Sequence, residues 1–273
     1  MSELAKRIVF AIPAAALFIW ITWLGGWYFK AMMIGIGFFI QSEMIKILDG
    51  AKNPVDTLFP YTIGLWVMLS QEIPFSFEIG VGIFVLFVAV QTFNKSEFDL
   101  SELTTTVFAG LYAPIGILSL IMISSIGSSE VGFTLVMLLA FMVWGSDVLA
   151  YFGGKAFGKH ALAPSISPNK TWEGFFFGYL GSAIGALAVW FLFPYQSGLT
   201  LVNLIPMALL VATFGPIGDL LESKLKRKAG VKDSSTLLPG HGGFFDRFDA
   251  LILAAPVALI YLKVLVEIGN VSF

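Results

Sequence analysis

Residues 219–249 combine the side chains that polar chemistry needs within a largely apolar chain. They read DLLESKLKRKAGVKDSSTLLPGHGGFFDRFD, with an apolar run of helix length on each side. Asp219, Asp246 and Asp249 stand beside those runs, where burying a carboxylate costs about 2.5–3.5 kcal/mol on membrane-insertion scales. Six Lys or Arg residues lie among them. Because carboxylates suit a hard cation, bases suit phosphate oxygens and glycines allow close backbone approach, the stretch indicates a polyphosphate held by a metal ion.

The first part of this stretch predicts a polar face on a helix. At about 100° per residue, the residues that share one arc are Asp219, Glu222, Ser223 and Lys226. A helix that leaves the membrane with ion pairs three and four residues apart would show the same pattern. Since Gly215 and Pro216 precede Asp219, we expect a kink that turns its carboxylate toward a cavity, and favour metal or substrate binding.

The second part predicts a turn followed by a helix. His241-Gly242-Gly243 demands the turn, and the helix begins near Asp246. Acidic residues are favoured at a helix N-terminus in any case, so capping is the alternative role of Asp246 and Asp249. A lone histidine is more often structural than a ligand. Whether His241 contacts substrate is therefore left open.

A third constellation precedes these segments. Asp147 lies inside an apolar helix, so its carboxylate should face a polar cavity or a cation. Further on, Lys170 and Glu173 belong to the stretch Ser-Pro-Asn-Lys-Thr-Trp-Glu-Gly. Glu173 could equally be an acid that stabilises the first turn of a helix. Elsewhere, Glu43 is interpreted as the ion-pair partner of Lys46, three residues along the helix.

The polar segments resemble the signature of the phosphatidate cytidylyltransferases, or CDP-diacylglycerol synthases. The residues that carry the resemblance are Ser223, Lys226-Arg227, Lys232-Asp233, His241-Gly242-Gly243 and Asp246-Arg247-Phe248-Asp249. The stretch that contains Lys170 and Glu173 is similar to a second segment of this family. Asn169 departs from the small or basic residue of many relatives, so no role is transferred to it.

The resemblance implies that CTP and phosphatidic acid react to give CDP-diacylglycerol and pyrophosphate, with Mg²⁺ as cofactor and a second cation left open. The implied catalytic residues are Asp219, Asp246, Lys226 and Arg227, and the implied metal ligands are Asp219, Asp246 and Asp249. The implied substrate-binding residues are Asp147, Lys170, Glu173, Ser223, Lys232, Asp233, His241, Gly242, Gly243 and Arg247. The resemblance also implies a homodimer, and no nucleic acid is expected as a partner.

The residue inventory agrees with this chemistry. A lipid phosphomonoester is already anionic at neutral pH, so it needs no general base to act as nucleophile. The sequence offers no Ser-His-Asp set for a covalent route. The remaining difficulty is to bring two anionic phosphate groups together, which a divalent metal and Lys or Arg side chains address by charge neutralisation and positioning.

Composition places the chain in a membrane. It is 57% hydrophobic and 12% charged, with a mean hydropathy of +0.86, and it has no cysteine for disulfides or thiolate metal sites. Apolar runs predict an all-α polytopic protein with about nine membrane helices in a single domain, residues 1–273. The predicted spans are 7–25, 27–47, 55–71, 76–93, 104–126, 131–153, 172–194, 201–222 and 248–268.

Charge placement predicts the orientation of these helices. With a cytoplasmic N-terminus, 14 of the 16 Lys and Arg residues fall on the cytoplasmic side, and only Lys30 and Lys263 lie opposite. The loop around 195–200 on the far side carries neither Lys nor Arg, whereas Lys95 belongs to the cytoplasmic group. We therefore expect the C-terminus outside. The short chain favours a bacterial plasma-membrane protein.

Two other functions are compatible with parts of the sequence. A CTP-dependent lipid-alcohol kinase of the dolichol or phytol kinase type would need the same metal and bases, but would transfer the γ-phosphate. A secondary transporter could use the Gly-Pro-interrupted eighth helix and the intramembrane acids, but should show matching broken helices in two halves of the chain. The complete motif favours the cytidylyltransferase.

Overall fold

The computed structural model describes residues 3–93, 99–193 and 198–273, which are nearly all helical. The helices in these residues are α1 Glu3–Leu24, α2 Gly26–Gly50, α3 Phe59–Leu69, α4 Ser76–Phe93, α5 Leu100–Ser124, α6 Ser129–Phe157, α7 Trp172–Leu192, α8 Leu201–Lys228 and α9 Phe245–Glu267. The predicted all-α architecture is confirmed. The one departure is a short antiparallel hairpin between α6 and α7, formed by β1 Ala161–Ala163 and β2 Ser167–Thr171.

Among the described residues, seven helices are long and apolar enough to cross a bilayer, namely α2 and α4 to α9. The chain is therefore a multi-pass membrane protein. The apolar part of α1, Val9–Leu24, and the whole of α3 are shorter. At 1.5 Å per residue, α3 extends for only about 17 Å of a hydrocarbon core that is about 30 Å thick. That α1 and α3 also cross the membrane stays a prediction.

Glycines set the closest helix contact, which joins α6 to α7. A Cβ atom on Gly181 would lie 2.0 Å from the carbonyl oxygen of Gly145, and one on Gly185 would lie 2.1 Å from that of Phe141. Lipid offers little hydrophobic driving force for helix association, so such close backbone packing supplies the attraction. The spacing of Gly178, Gly181 and Gly185 predicts close helix packing, and all three lie against α6 of the same chain. That this spacing also serves a contact between subunits stays a prediction.

Another glycine brings α8 against α9. A Cβ atom on Gly218 would lie 2.4 Å from the carbonyl oxygen of Asp249. Any side chain at this position would push the two helices apart. Helix α8 runs without a break through Pro216. The close approach at Gly218, rather than an interruption at Pro216, therefore places Asp219 beside α9.

The charged residues separate toward the two ends of the helix bundle. Lys30, which pairs with Glu72, and Lys263 line one cavity of about 540 Å³. This cavity lies near the start of α2 and the end of α9, whereas Glu43 and Asp249 lie toward the other ends of the same helices. The grouping agrees with the predicted placement of the two lysines.

Which end of the bundle faces the cytoplasm stays a prediction. Two parts of the charge pattern behind it, Lys95 and residues 195–197, lie outside the described residues.

Candidate active site

Three carboxylates meet where α8 crosses α9. Asp219 and Glu222 lie one turn apart on α8, and Asp249 lies in the second turn of α9. One oxygen from each carboxylate lies within 4.8 Å of the corresponding oxygens of the other two. We call these three residues the acidic cluster. The structure thus brings together Asp219 and Asp249, as the sequence predicts, and adds Glu222.

Glu222 is the least satisfied member of the acidic cluster. It is 1% exposed, and neither of its carboxylate oxygens has a hydrogen-bond partner among the described residues. Lys226 Nζ lies 3.2 Å from Oε1, close enough for an ion pair but without hydrogen-bond geometry. A buried carboxylate without donors is destabilising unless a cation compensates it. Carboxylate oxygens are the ligands that hard divalent cations such as Mg²⁺ take, so these three converging residues fit a divalent metal ion.

The hairpin between α6 and α7 delivers a lysine to this cluster. Lys170, on β2, forms an ion pair with Asp219. Ser223 Oγ donates a hydrogen bond to the other carboxylate oxygen of Asp219 over 3.3 Å. Both side chains of the Lys170–Asp219 pair keep more than a quarter of their surface exposed. The lysine can therefore also reach an anion that enters from solvent.

Two more predicted residues surround the pair. Asp147, on α6, is exposed and lies close enough to interact electrostatically with Asp219, Lys170 and Arg247. Arg247, in the first turn of α9, is also exposed. Asp147 therefore interacts both with the acidic cluster, through Asp219, and with two cations, Lys170 and Arg247. A phosphate held by a metal ion at the cluster would be met by these positive side chains.

Asp246 lies next to the cluster, but its carboxylate is occupied by the chain itself. Oδ1 lies 2.5 Å from Lys226 Nζ. Oδ2 accepts hydrogen bonds from Ser234 N, Ser234 Oγ and Gly243 N over 2.8–2.9 Å. The structure groups Asp219, Glu222 and Asp249, with Asp246 outside that set. Its role as a metal ligand stays a prediction, whereas its contacts hold the loop between α8 and α9.

The paired glycines of this loop are explained by two carboxylates. Gly242 has a φ of +77°, which L side chains rarely adopt, and a Cβ atom there would lie 2.4 Å from Asp246 Oδ2. A Cβ atom on Gly243 would lie 2.1 Å from Ser234 Oγ and 2.4 Å from Glu43 Oε2. The backbone therefore wraps around these side chains so closely that neither position has room for a Cβ atom.

Glu43 anchors the loop from α2, a role that the sequence does not reveal. It is 2% exposed, and its two oxygens lie within 3.1 Å of four donor groups, Ser234 Oγ, Ser235 Oγ, Phe244 N and Phe245 N. Ser234 Oγ also lies 2.8 Å from Asp246 Oδ2, and its single proton can be donated to only one of the two carboxylates at a time. Phe244 and Phe245 begin α9 and have no polar side chain of their own to cap it. The carboxylate of Glu43 thus caps the N-terminus of α9, instead of forming the expected ion pair with Lys46.

Glu173 binds to the hairpin rather than facing the acidic cluster. Its carboxylate accepts hydrogen bonds from the backbone N–H groups of Lys159 and His160 over 3.1 and 3.3 Å. It also lies 2.6 Å from His160 Nδ1. These contacts hold the start of the hairpin against α7. They position Lys170 indirectly, and the predicted contact of Glu173 with substrate stays untested.

The remaining predicted residues lie around the rim. Arg227 donates to the carbonyl oxygens of Ile166 and Val231, which ties the end of α8 to the hairpin. The ring of His241 packs 5.5 Å from Phe10, and its Nδ1 lies 3.2 Å from the carbonyl oxygen of Pro239. Lys232 and Asp233 are exposed.

Sequence comparison assigns the chain to a family. Residues 5–265 match the cytidylyltransferase family. The chain belongs to this family. The resemblance predicted from the motifs is thereby confirmed.

Curated relatives named phosphatidate cytidylyltransferase match nearly the whole chain. The protein of Brucella abortus is 35% identical over 266 residues, which is 96% of this chain and 93% of the relative. That of Bacillus subtilis is 31% identical over 267 residues, covering 94% and 96%. That of Staphylococcus epidermidis is 33% identical over 266 residues, covering 94% and 98%.

Proposed function

We propose that this membrane protein transfers the cytidylyl group of CTP to phosphatidic acid, giving CDP-diacylglycerol and pyrophosphate for phospholipid synthesis. The observation that carries the proposal is the acidic cluster of Asp219, Glu222 and Asp249, with Lys170 paired to it. Family membership and the names of the relatives support the same reaction.

The residues have distinct roles in this proposal. Asp219, Glu222 and Asp249 would hold Mg²⁺, which when bound supplies charge neutralisation at the phosphates. Lys170 and Arg247 would bind phosphate oxygens on the open side of the cluster. The lipid phosphate attacks the α-phosphorus of CTP, and the bond to the leaving pyrophosphate breaks. The nucleophile is already anionic, so no side chain has to remove a proton.

The loop between α8 and α9 would fix the geometry of the site. Asp246 holds Lys226 and the backbone of Gly243, and Lys226 also lies beside Glu222. Asp246 therefore serves as a positioning residue that keeps a cation next to the cluster. Correct placement of reacting groups contributes strongly to the rate of a transfer between two phosphates.

The location of the site suits its two substrates. The acidic cluster lies near the end of the bundle where most Lys and Arg residues are placed, which we assign to the cytoplasmic side. CTP would enter from water, whereas phosphatidic acid would arrive laterally from the bilayer. The bacterial origin of the relatives supports a plasma-membrane location. A homodimer is proposed from the family resemblance alone.

The fate of the CTP phosphates tests this function against the lipid-kinase alternative. Purified protein in detergent micelles with phosphatidic acid is given CTP labelled at either the α- or the γ-phosphate. We expect the α-label in the lipid and the γ-label in pyrophosphate. Micelles with diacylglycerol in place of phosphatidic acid serve as the control. Entry of the γ-label into lipid would contradict the proposal and support the kinase.

A further inference from the structure

A tyrosine on α5 lies near the acidic cluster. The hydroxyl of Tyr112 is buried and has no hydrogen-bond partner among the described residues. Its ring contacts Phe245, one helical turn before Asp249 on α9, and Tyr112 lies close enough to interact electrostatically with Asp249 and Glu222. Tyr112 thus adds a third helix to the surroundings of the cluster. The sequence motifs do not single it out.

Two aromatic rings hold this tyrosine in place. Phe108, one turn earlier on α5, stacks on Tyr112 with ring centroids 5.2 Å apart and an interplanar angle of 20°. Phe245, in the first turn of α9, meets the ring edge-on at 6.5 Å. These contacts hold the ring beside the first turn of α9, one turn before Asp249. The buried hydroxyl is therefore held near the acidic cluster by packing.

The Tyr112 hydroxyl and the Glu222 carboxylate share one unusual property. Each is a buried polar group without a hydrogen-bond partner, although the two groups lie near each other. Nearly all buried polar groups in proteins are paired, with protein or with an ordered solvent or ion. Two unpaired polar groups that are buried near each other on different helices would both be satisfied by a small polar species between them.

We propose that Tyr112 is a positioning residue of the metal site, and that its hydroxyl donates a hydrogen bond to an oxygen ligand of the divalent cation. That ligand is a carboxylate of the acidic cluster or a water on the cation. The proposal rests on the proposed function, because it requires the cation at Asp219, Glu222 and Asp249. Groups that orient metal ligands typically contribute about 10–100-fold in metal affinity.

Metal binding without substrate tests this role. The full-length protein in detergent is titrated with Mg²⁺ alone, without CTP or lipid, and its thermal unfolding temperature is recorded. Tyr112→Phe should require a Mg²⁺ concentration about 10–100 times higher than wild type for half of the full stabilisation. Tyr261→Phe is the matched control, because that hydroxyl donates to the backbone oxygen of Asn203. The control should retain the Mg²⁺ response of the wild type.

The metal-free unfolding temperature separates a positioning role from a structural one. Because the Tyr112 hydroxyl has no protein partner, Tyr112→Phe should unfold without metal at the same temperature as wild type, or a higher one. A variant that fails to fold, or that is less stable without metal, would overturn the proposal.

Further outcomes distinguish this inference from the proposed function. If Mg²⁺ stabilises wild type but not Glu222→Gln, and Tyr112→Phe responds like wild type, only the inference about Tyr112 fails. If Mg²⁺ does not stabilise the wild type at all, the metal site fails and the inference falls with it.

Discussion

The contacts of Glu43 predict that Glu43→Gln damages catalysis from outside the site. The carboxylate uses one oxygen for Ser235 Oγ and Phe244 N, and the other for Ser234 Oγ and Phe245 N. An amide keeps only one carbonyl oxygen, and its NH₂ group then faces one of these donor pairs. The serine hydroxyl of that pair can rotate and accept from the amide, but the backbone N–H cannot.

The expected size of the effect follows from that orphaned N–H group. A buried donor left unpaired costs about 1–3 kcal/mol. Loss of the negative charge at the start of α9 adds about 0.3–1 kcal/mol. Glu43→Gln should therefore lower the free energy of unfolding by about 1–4 kcal/mol. Glu43→Ala should lower it further, because both backbone N–H groups and Ser235 Oγ lose their acceptor, whereas Ser234 Oγ keeps Asp246.

The assay combines stability with turnover. Thermal unfolding in detergent measures the stability of the variant, and the formation of CDP-lipid measures its turnover. Because Ser234 also holds Asp246, we expect kcat to fall even at temperatures where Glu43→Gln is fully folded. Glu78→Gln, an exposed acid in the first turn of α4, is the matched control. Unchanged stability and unchanged kcat in Glu43→Gln would refute the reasoning.

Three further predictions concern the site itself. Gly243→Ala should abolish activity because its Cβ atom would collide with a serine hydroxyl and a buried carboxylate, whereas Gly82→Ala, with open space around it, should be active in the same assay. Lys170→Ala should raise the KM for CTP or for the lipid in steady-state kinetics, and an unchanged KM with unchanged kcat would show that this lysine binds no phosphate. Asp219→Asn should lose Mg²⁺-dependent turnover while its circular dichroism stays helical. Asp49→Asn, on the exposed end of α2, should keep both.

The helices and two of the three members of the acidic cluster could be predicted because both depend on local sequence. Apolar runs of sufficient length determine the helices directly. Asp219 and Asp249 stand out because burying a carboxylate beside an apolar run costs free energy, which indicates a functional role. Glu222 shares the helix face of Asp219, three residues on, and this spacing could have identified it as a ligand.

Glu43 and Tyr112 could not be predicted, because their roles depend on contacts between distant parts of the chain. Glu43 bonds to residues that lie 191–202 positions later. Nothing local distinguishes it from an acid that pairs with Lys46 on the same helix. Tyr112 lies in an apolar helix where a tyrosine is ordinary, and only its orphaned hydroxyl marks it.

Asp246 shows why a motif does not determine the role of each of its acids. A carboxylate at a given position of a motif carries the same charge whether it binds a metal ion or organises a loop. The sequence alone therefore does not distinguish the two roles. The structure separates the two roles through hydrogen-bond donors. Asp246 has hydrogen bonds from Lys226, Ser234 and Gly243, whereas Glu222 has only an ion pair with Lys226 among the described residues.

The central claim is that the acidic cluster binds the cation that allows two phosphates to react. The most direct test is the release of pyrophosphate by chelator-treated protein with CTP and phosphatidic acid, measured as Mg²⁺ is added back. Wild type should release none before the addition and should recover saturably, whereas Glu222→Gln should stay inactive at the same concentrations. Release without any divalent metal, or full recovery by Glu222→Gln, would contradict the claim.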